Sequence, residues 1–168
     1  MKLEEAKKQF IQSWGVFASQ WGINRTMAQV HALLLVSPEA MSTDDIMNEL
    51  SISRGNANMN VRELMNWDLV HKVITAGDRK EYFTAEKDIW KVSMRIMQQR
   101  KKRELDPMLR LLGQLSHVEG DKRNTEVKAF TDTVDSIRKF AAHAEKTMDV
   151  MIKAEENWFW NSFLKIFK

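Results

Sequence analysis

At Leu69 the period at which apolar side chains recur changes, and that change limits the folds open to the chain. Upstream the spacing is helical. Residues 3–21 repeat Leu3, Ala6, Phe10, Trp14, Phe17 and Trp21 at steps of three and four, which predicts a one-faced helix stopped by Gly22. Asn24 is a good N-cap for a second helix through Met27, Val30, Leu33 and Leu34 to about Val36. Ser42, with Asp45 three residues on, caps a short third helix that buries Ile46, Met47 and Leu50. Ser53 opens a fourth, running to about Trp67 with Ala57, Val61, Leu64 and Met65 inward. From Leu69 to Thr75 β-branched residues roughly alternate, residues 76–80 make a turn, and residues 81–84 return as a second strand.

Helix, helix, short turn, helix, hairpin is the order of elements in a winged helix-turn-helix. Downstream, a long helix starts near Ala85, kinked at Pro107 and weakened at Gly113. After a polar hinge at residues 117–122, Val127, Phe130, Val134, Ile137, Ala141, Ala144, Met148 and Met151 alternate strictly by three and four. Four heptads of that kind read as a coiled-coil-like seam, and therefore as a homodimer. The predicted fold is mainly α: a winged helix-turn-helix with a two-stranded wing, flanked by N- and C-terminal dimerisation helices. Its divisions are an N-terminal helix (1–23), the winged module (24–88) and a helical dimerisation region (89–168).

Only 6 Gly and 2 Pro occur among the 168 residues, too few for an all-β chain that turns every ten residues. The absence of cysteine excludes disulfides, thiolate metal sites and cysteine nucleophiles, and fits a reducing cytoplasm. No apolar run is long enough to span a membrane, and no signal-peptide core follows the charged start. His31, His71, His117 and His143 are scattered without metal-ligand spacing, no glycine loop could cradle phosphate, and Asp44-Asp45 reads as helix-start chemistry. Neither an enzyme nor a cofactor is predicted.

The fourth helix carries the chemistry. Arg54, in its first turn, has the geometry to chelate a guanine edge or hold a phosphate. Gly55 lets backbone approach a duplex closely. Asn56, Asn58, Asn60 and Arg62 lie along the same helix, and asparagine is the bidentate partner of adenine; Asn60 is the weakest of these assignments because Ile52 can bury it. Arg79, with Lys80 beside it, sits at the hairpin tip, where an arginine can enter a minor groove. Amide donors at the helix starts, Ser42 and Ser53, serve phosphates, with Thr43 and Lys72 as helpers. Double-stranded DNA is the predicted partner. Yet residues 42–84 hold five Lys/Arg against seven Asp/Glu, a net −2 in a chain of net +3. Any phosphate contact must come from placed groups rather than a cationic field. That charge also keeps open a second reading, a coiled-coil adaptor whose winged helix binds protein.

The stretch Leu50-Ser51-Ile52-Ser53-Arg54-Gly55-Asn56-Ala57-Asn58-Met59-Asn60-Val61-Arg62-Glu63-Leu64, then Asn66-Trp67-Asp68-Leu69-Val70, resembles the GbsR branch of the MarR superfamily. Gly77-Asp78-Arg79-Lys80 and Tyr82-Phe83-Thr84-Ala85-Glu86-Lys87-Asp88 are similar to that branch's short wing, and Trp14-Gly15 and Trp21-Gly22 match upstream. The resemblance covers residues 1 to about 110. It implies a dimeric DNA-binding transcription regulator, a repressor in the simplest case, acting on a palindromic operator. The resemblance also implies that the effector, where one exists, is often a quaternary ammonium osmoprotectant such as choline or a betaine.

Trp14 and Trp21 are the candidate cage for such a cation. The competing reading puts both in the core, together with Trp67 behind the wing. Arg100-Lys101-Lys102-Arg103 reads as a solvated helix turn, and the aromatic tail at residues 158–168 as dimer packing rather than a membrane-surface helix.

Overall fold

The computed structural model describes residues 1–74, 79–119 and 123–153. In chain order the elements are α1 (Leu3–Gln20), α2 (Arg25–Val36), β1 (Met41–Ser42), α3 (Thr43–Leu50), α4 (Arg54–Asn66), β2 (Val70–Val73), β3 (Tyr82–Ala85), α5 (Ile89–Arg100), α6 (Asp106–Leu115) and α7 (Thr125–Lys153). A five-residue π-helical turn, Lys101–Leu105, joins α5 to α6. The chain divides into two compact units, Met1–Val92 and Ser93–Lys168. The first is a winged helix-turn-helix.

Local chemistry sets the helix starts of that unit. The Asn24 side chain accepts from the Met27 amide at 3.0 Å, and the Ser53 hydroxyl accepts from the Asn56 amide at 3.3 Å. Ser42 and Asp45 form a reciprocal box: the Ser42 amide donates to the Asp45 carboxylate at 2.8 Å while the Asp45 amide donates to the Ser42 hydroxyl at 3.3 Å. These bonds hold the Asp45 carboxyl below the usual carboxylate range, chiefly through the Ser42 hydroxyl. Gly22, at φ +76°, ends α1, and Ile23 donates to the Ala18 carbonyl behind it.

The core of this unit lies on α2, where Val30, Ala32 and Leu34 are almost fully buried, with Ile46 from α3, Ala57, Val61 and Leu64 from α4, and Phe83 from β3. A side chain at Gly15 would put Cβ 2.7 Å from Gln29 Cγ, so the glycine lets α1 close on α2. The expected hairpin forms, with Val70 opposite Ala85 and Val73 opposite Tyr82. A third strand joins it: Met41 pairs with Phe83 and Ser42 with Tyr82, giving the antiparallel order β1-β3-β2. Two residues carry no periodicity, so this strand has no sequence signature.

In the second unit, Pro107 does not break the helical path. The preceding π turn widens the backbone where the proline ring would meet the carbonyl of the turn before it, and α6 carries the proline in its first turn. The α7 repeat splits into two faces. Val134 and Ala141 are buried with Leu112, and Leu105 and Leu109 pack beside them. Phe130 and Ile137, the alternate members, are exposed, as is Phe140. Lys101, expected in a solvated turn, reaches the Asp149 and Glu145 carboxylates at 2.9 and 3.3 Å. Among the described residues no helix is long and apolar enough to cross a membrane.

His31 sits in the core at 3% exposure, and its Nε2 has no hydrogen-bond partner. Burial, assisted by the charge of Lys87, lowers its pKa from 6.5 to about 4. The folded state therefore holds a neutral imidazole, while the unfolded chain takes up a proton once pH falls below 6.5. Stability is intact above pH 6.5 and is lost as pH drops toward 4, by about 3 kcal/mol from this residue. Urea unfolding at stepped pH should show that loss, and His31→Leu should flatten it; an unchanged slope in the variant would assign acid sensitivity elsewhere.

Candidate nucleic-acid interface

The outward side of the first unit is formed by α4 with the start of α3. Ala57, Val61 and Leu64 turn inward, so helical spacing turns Gly55, Met59, Arg62 and Asn66 outward. Gly55 is exposed, and a Cβ built there meets nothing within 4 Å. Arg62 is exposed on the same face. Met59, 61% exposed, stands between them and was not singled out from sequence. Its signal was available: it falls one helical turn from Gly55 and opposite the buried set. Met65, expected inward, is also exposed, because Leu64 takes the core position beside it.

Several of the other predicted groups are engaged within the protein. Arg54 Nη2 donates to Oδ1 of Asp44 on α3. The Thr43 hydroxyl donates to the Asn58 side-chain carbonyl at 3.1 Å. Asn60 is 3% exposed, and its amide donates to the main-chain and side-chain oxygens of Asn56 at 2.8 and 2.6 Å. Asn56 and Asn60 thus form a polar link along the helix, and Asn60 faces the core rather than the exterior. Ser42 is buried with its amide already given to Asp45, so only Ser53 keeps an exposed position at a helix start. Lys72 donates across the hairpin to Glu81, whose carboxyl is held below its usual range first by that bond. Arg79 and Lys80 are exposed at the edge of the wing; the tip itself, residues 75–78, lies outside the described residues.

At least four of the seven acids in residues 42–84 have partners within the module. Asp44 holds Arg54, Asp45 caps α3, Glu63 accepts from the Trp67 indole at 2.9 Å, and Glu81 holds Lys72. These acids are spent on internal bonds around an outward face bearing Gly55, Met59 and Arg62.

The tryptophans divide. Trp67 is buried, as expected. Trp14 is half-buried and tilted against Phe10, ring centroids 5.4 Å apart. Trp21, expected in the core or in a cage, is 69% exposed at the end of α1, because α2 covers only one side of that helix. Seven residues of helix separate Trp14 from Trp21 by roughly 10 Å, two turns along the same helix. Trp158 and Trp160 lie outside the described residues. Among those described, no group of three or more His, Asp or Glu is arranged to hold a metal.

No family model matches the chain. The HTH-type transcriptional repressor GbsR of Bacillus subtilis (strain 168) is 29% identical over 89 residues, 53% of this chain and 49% of that protein. The HTH-type transcriptional regulator MmpR5 of Mycobacterium tuberculosis (strain ATCC 25618 / H37Rv) is 28% identical over 76 residues, 45% of this chain and 46% of that protein. The chain thus spans about half the length of these curated relatives. A crystal structure described as a transcriptional regulator superposes with a TM-score of 0.53 at 22% identity, over 83% of this chain and 95% of its own. The fold is shared, and the resemblance read from residues 50–88 is matched by the similarity to GbsR.

Because nothing lies near a Cβ at Gly55, the fold has no steric need for glycine there. Gly55→Ala should raise stability by roughly 0.5–1 kcal/mol through helix propensity, about 2 °C in Tm. Thermal denaturation checks this, and a fall in Tm would mean that the glycine serves the fold itself.

Proposed function

We propose that this chain is a cytoplasmic DNA-binding transcription regulator of winged helix-turn-helix type that seats α4 in the major groove and the wing beside it. One observation carries the reading: Gly55 is free of any neighbour yet keeps a residue that weakens the helix. A bare backbone at the start of an exposed helix suits close approach to a duplex. Arg62 supplies a cation on the same face, and Met59 an apolar contact of the kind made with thymine methyl groups. Arg54 and Asn58 add guanine- and adenine-reading chemistry, and Ser53 and Arg79 add phosphate or minor-groove contacts. Similarity to GbsR and MmpR5, both named as transcription regulators, supports the same reading. Repression by occupying promoter DNA is its simplest form.

Two copies are proposed to pair through the outward stripe of α7, Phe130, Ile137 and Phe140, with exposed Leu3, Phe17 and Trp21 of α1 as a further apolar strip. Such a dimer suits a palindromic operator with half-sites one helical turn apart. Trp14 and Trp21 are the rings proposed to meet a quaternary ammonium effector. The net −2 of residues 42–84 and the exposed Met59 favour a second reading, a protein-binding adaptor.

Gel shifts against genomic fragments at two salt concentrations separate the readings. Salt-sensitive binding is expected. Arg62→Ala should weaken it about tenfold and lower the salt slope by about one. Gly55→Ala should weaken it while Tm holds or rises, a split that a purely structural glycine cannot produce. Salt-independent or absent binding would favour the adaptor. In sedimentation a dimer is expected at micromolar concentration, and Phe130→Ser with Ile137→Ser should shift it to monomer; a wild-type monomer would contradict the α7 interface.

A further inference from the structure

The first turn of α3 grips two residues of α4 that lie one turn apart on the same face. Asp44 accepts from the Arg54 guanidinium, and Thr43, next in the chain, donates to Asn58 at 3.1 Å. The ion pair is at the surface, its Arg54 and Asp44 side chains 65% and 40% exposed, so burial does not explain it, whereas the Thr43–Asn58 bond is part-buried. Neither link is needed to start α3, because the Ser42–Asp45 box already does so.

An unrestrained arginine at a DNA surface can settle on any phosphate within reach, and that contact carries no sequence information. An arginine held at one Nη by a carboxylate has that end tethered and its reach restricted, so its remaining N–H groups are biased toward one side. The same carboxylate repels phosphates. Building on the regulator reading above, we propose that Asp44 is a specificity-determining positioning residue: it aims Arg54 at a guanine edge and suppresses its use on phosphate. Thr43 orients the Asn58 amide in parallel. The helix that carries no reading residue thereby sets the angles of two that do.

The test uses the full chain and Asp44→Asn, which keeps shape and removes charge. DNA selected from a random pool by wild-type protein defines the preferred site, and affinities for that site and for random duplex are measured against salt. Asp44→Asn should bind random duplex several-fold more tightly, with a salt slope steeper by about one as Arg54 moves to phosphate. Its guanine preference at one position of the site should flatten, and the ratio of specific to random affinity should fall about tenfold or more. A residue acting through Arg54 must lose its effect when Arg54 is absent. In an Arg54→Ala background, Asp44→Asn should therefore leave the ratio within about twofold. Tm is followed in every variant. A sequence-selective wild type with an Asp44→Asn variant of unchanged ratio overturns this proposal alone, as does a loss that persists undiminished in the Arg54→Ala background. A wild type that enriches no sequence overturns the regulator reading and this inference together.

Discussion

The Lys87 ammonium reaches back across the first unit to the main-chain carbonyls of Leu34, Leu35 and Ser37, at 2.5 to 2.8 Å. These carbonyls close the C-terminal end of α2, which has no basic residue in its own last turn. A helix end leaves carbonyls without partners, and a cation there also meets the negative end of the helix dipole. Because α2 carries the core, the residue that finishes it ties the strand leaving the wing to the centre of the module. The tie has consequences in both directions. Burial lowers the pKa of Lys87, and its charge adds to the desolvation that keeps His31 neutral. A buried histidine one turn from a lysine-capped helix end stays neutral down to about pH 4, and its cost at low pH follows from that placement.

The electrostatics of the outer face obey the same economy of partners. Seven acids outnumber five bases in residues 42–84, which by composition alone argues against a polyanionic partner. Net charge, however, does not say where the charges lie or which of them have partners. Asp44, Asp45, Glu63 and Glu81 each accept a hydrogen bond inside the module. What a ligand meets is the residue left outward, and on α4 that includes Arg62. A surface pair such as Lys72–Glu81 contributes little to stability. Its larger effect is to remove a cation from the set available to phosphate.

Elements whose signals are local were legible in the sequence. The caps at Asn24, Ser42 and Ser53 depend on residues two or three positions away, and the hairpin on a change of period within a few residues. Strand β1 was not legible, because two residues gain strand geometry only from Phe83 and Tyr82, some forty positions on. The α7 repeat was read as one seam because spacing reports that apolar residues share a sector, not how many surfaces claim it. Here α6 covers Val134 and Ala141 and leaves Phe130 and Ile137 outward. The site was legible as a helix and not as a face. Residue type marked Asn56, Asn58 and Asn60, with Asn60 the weakest, whereas their use depends on which side of α4 each occupies and on whether α3 supplies a partner.

That distinction bears on why α4 has the sequence it has. Arg54-Gly55-Asn56-Ala57-Asn58-Met59-Asn60 is a poor helix by propensity, since glycine and asparagine both disfavour the interior of a helix. The helix forms because Ser53 caps it and because Ala57, Val61 and Leu64 are buried against the rest of the module; tertiary packing overrides the local preference. Each asparagine then pairs in a way alanine could not. Asn60 bonds back to Asn56, and Asn58 accepts from Thr43. Gly55 has no such return: no contact, no turn and no positive φ requires it. A residue that weakens its helix without a structural return is a place where local preference and fold disagree. Gly113 in α6 has the same open surroundings, so Gly55 is set apart by its place in the first turn of α4 and not by open space alone.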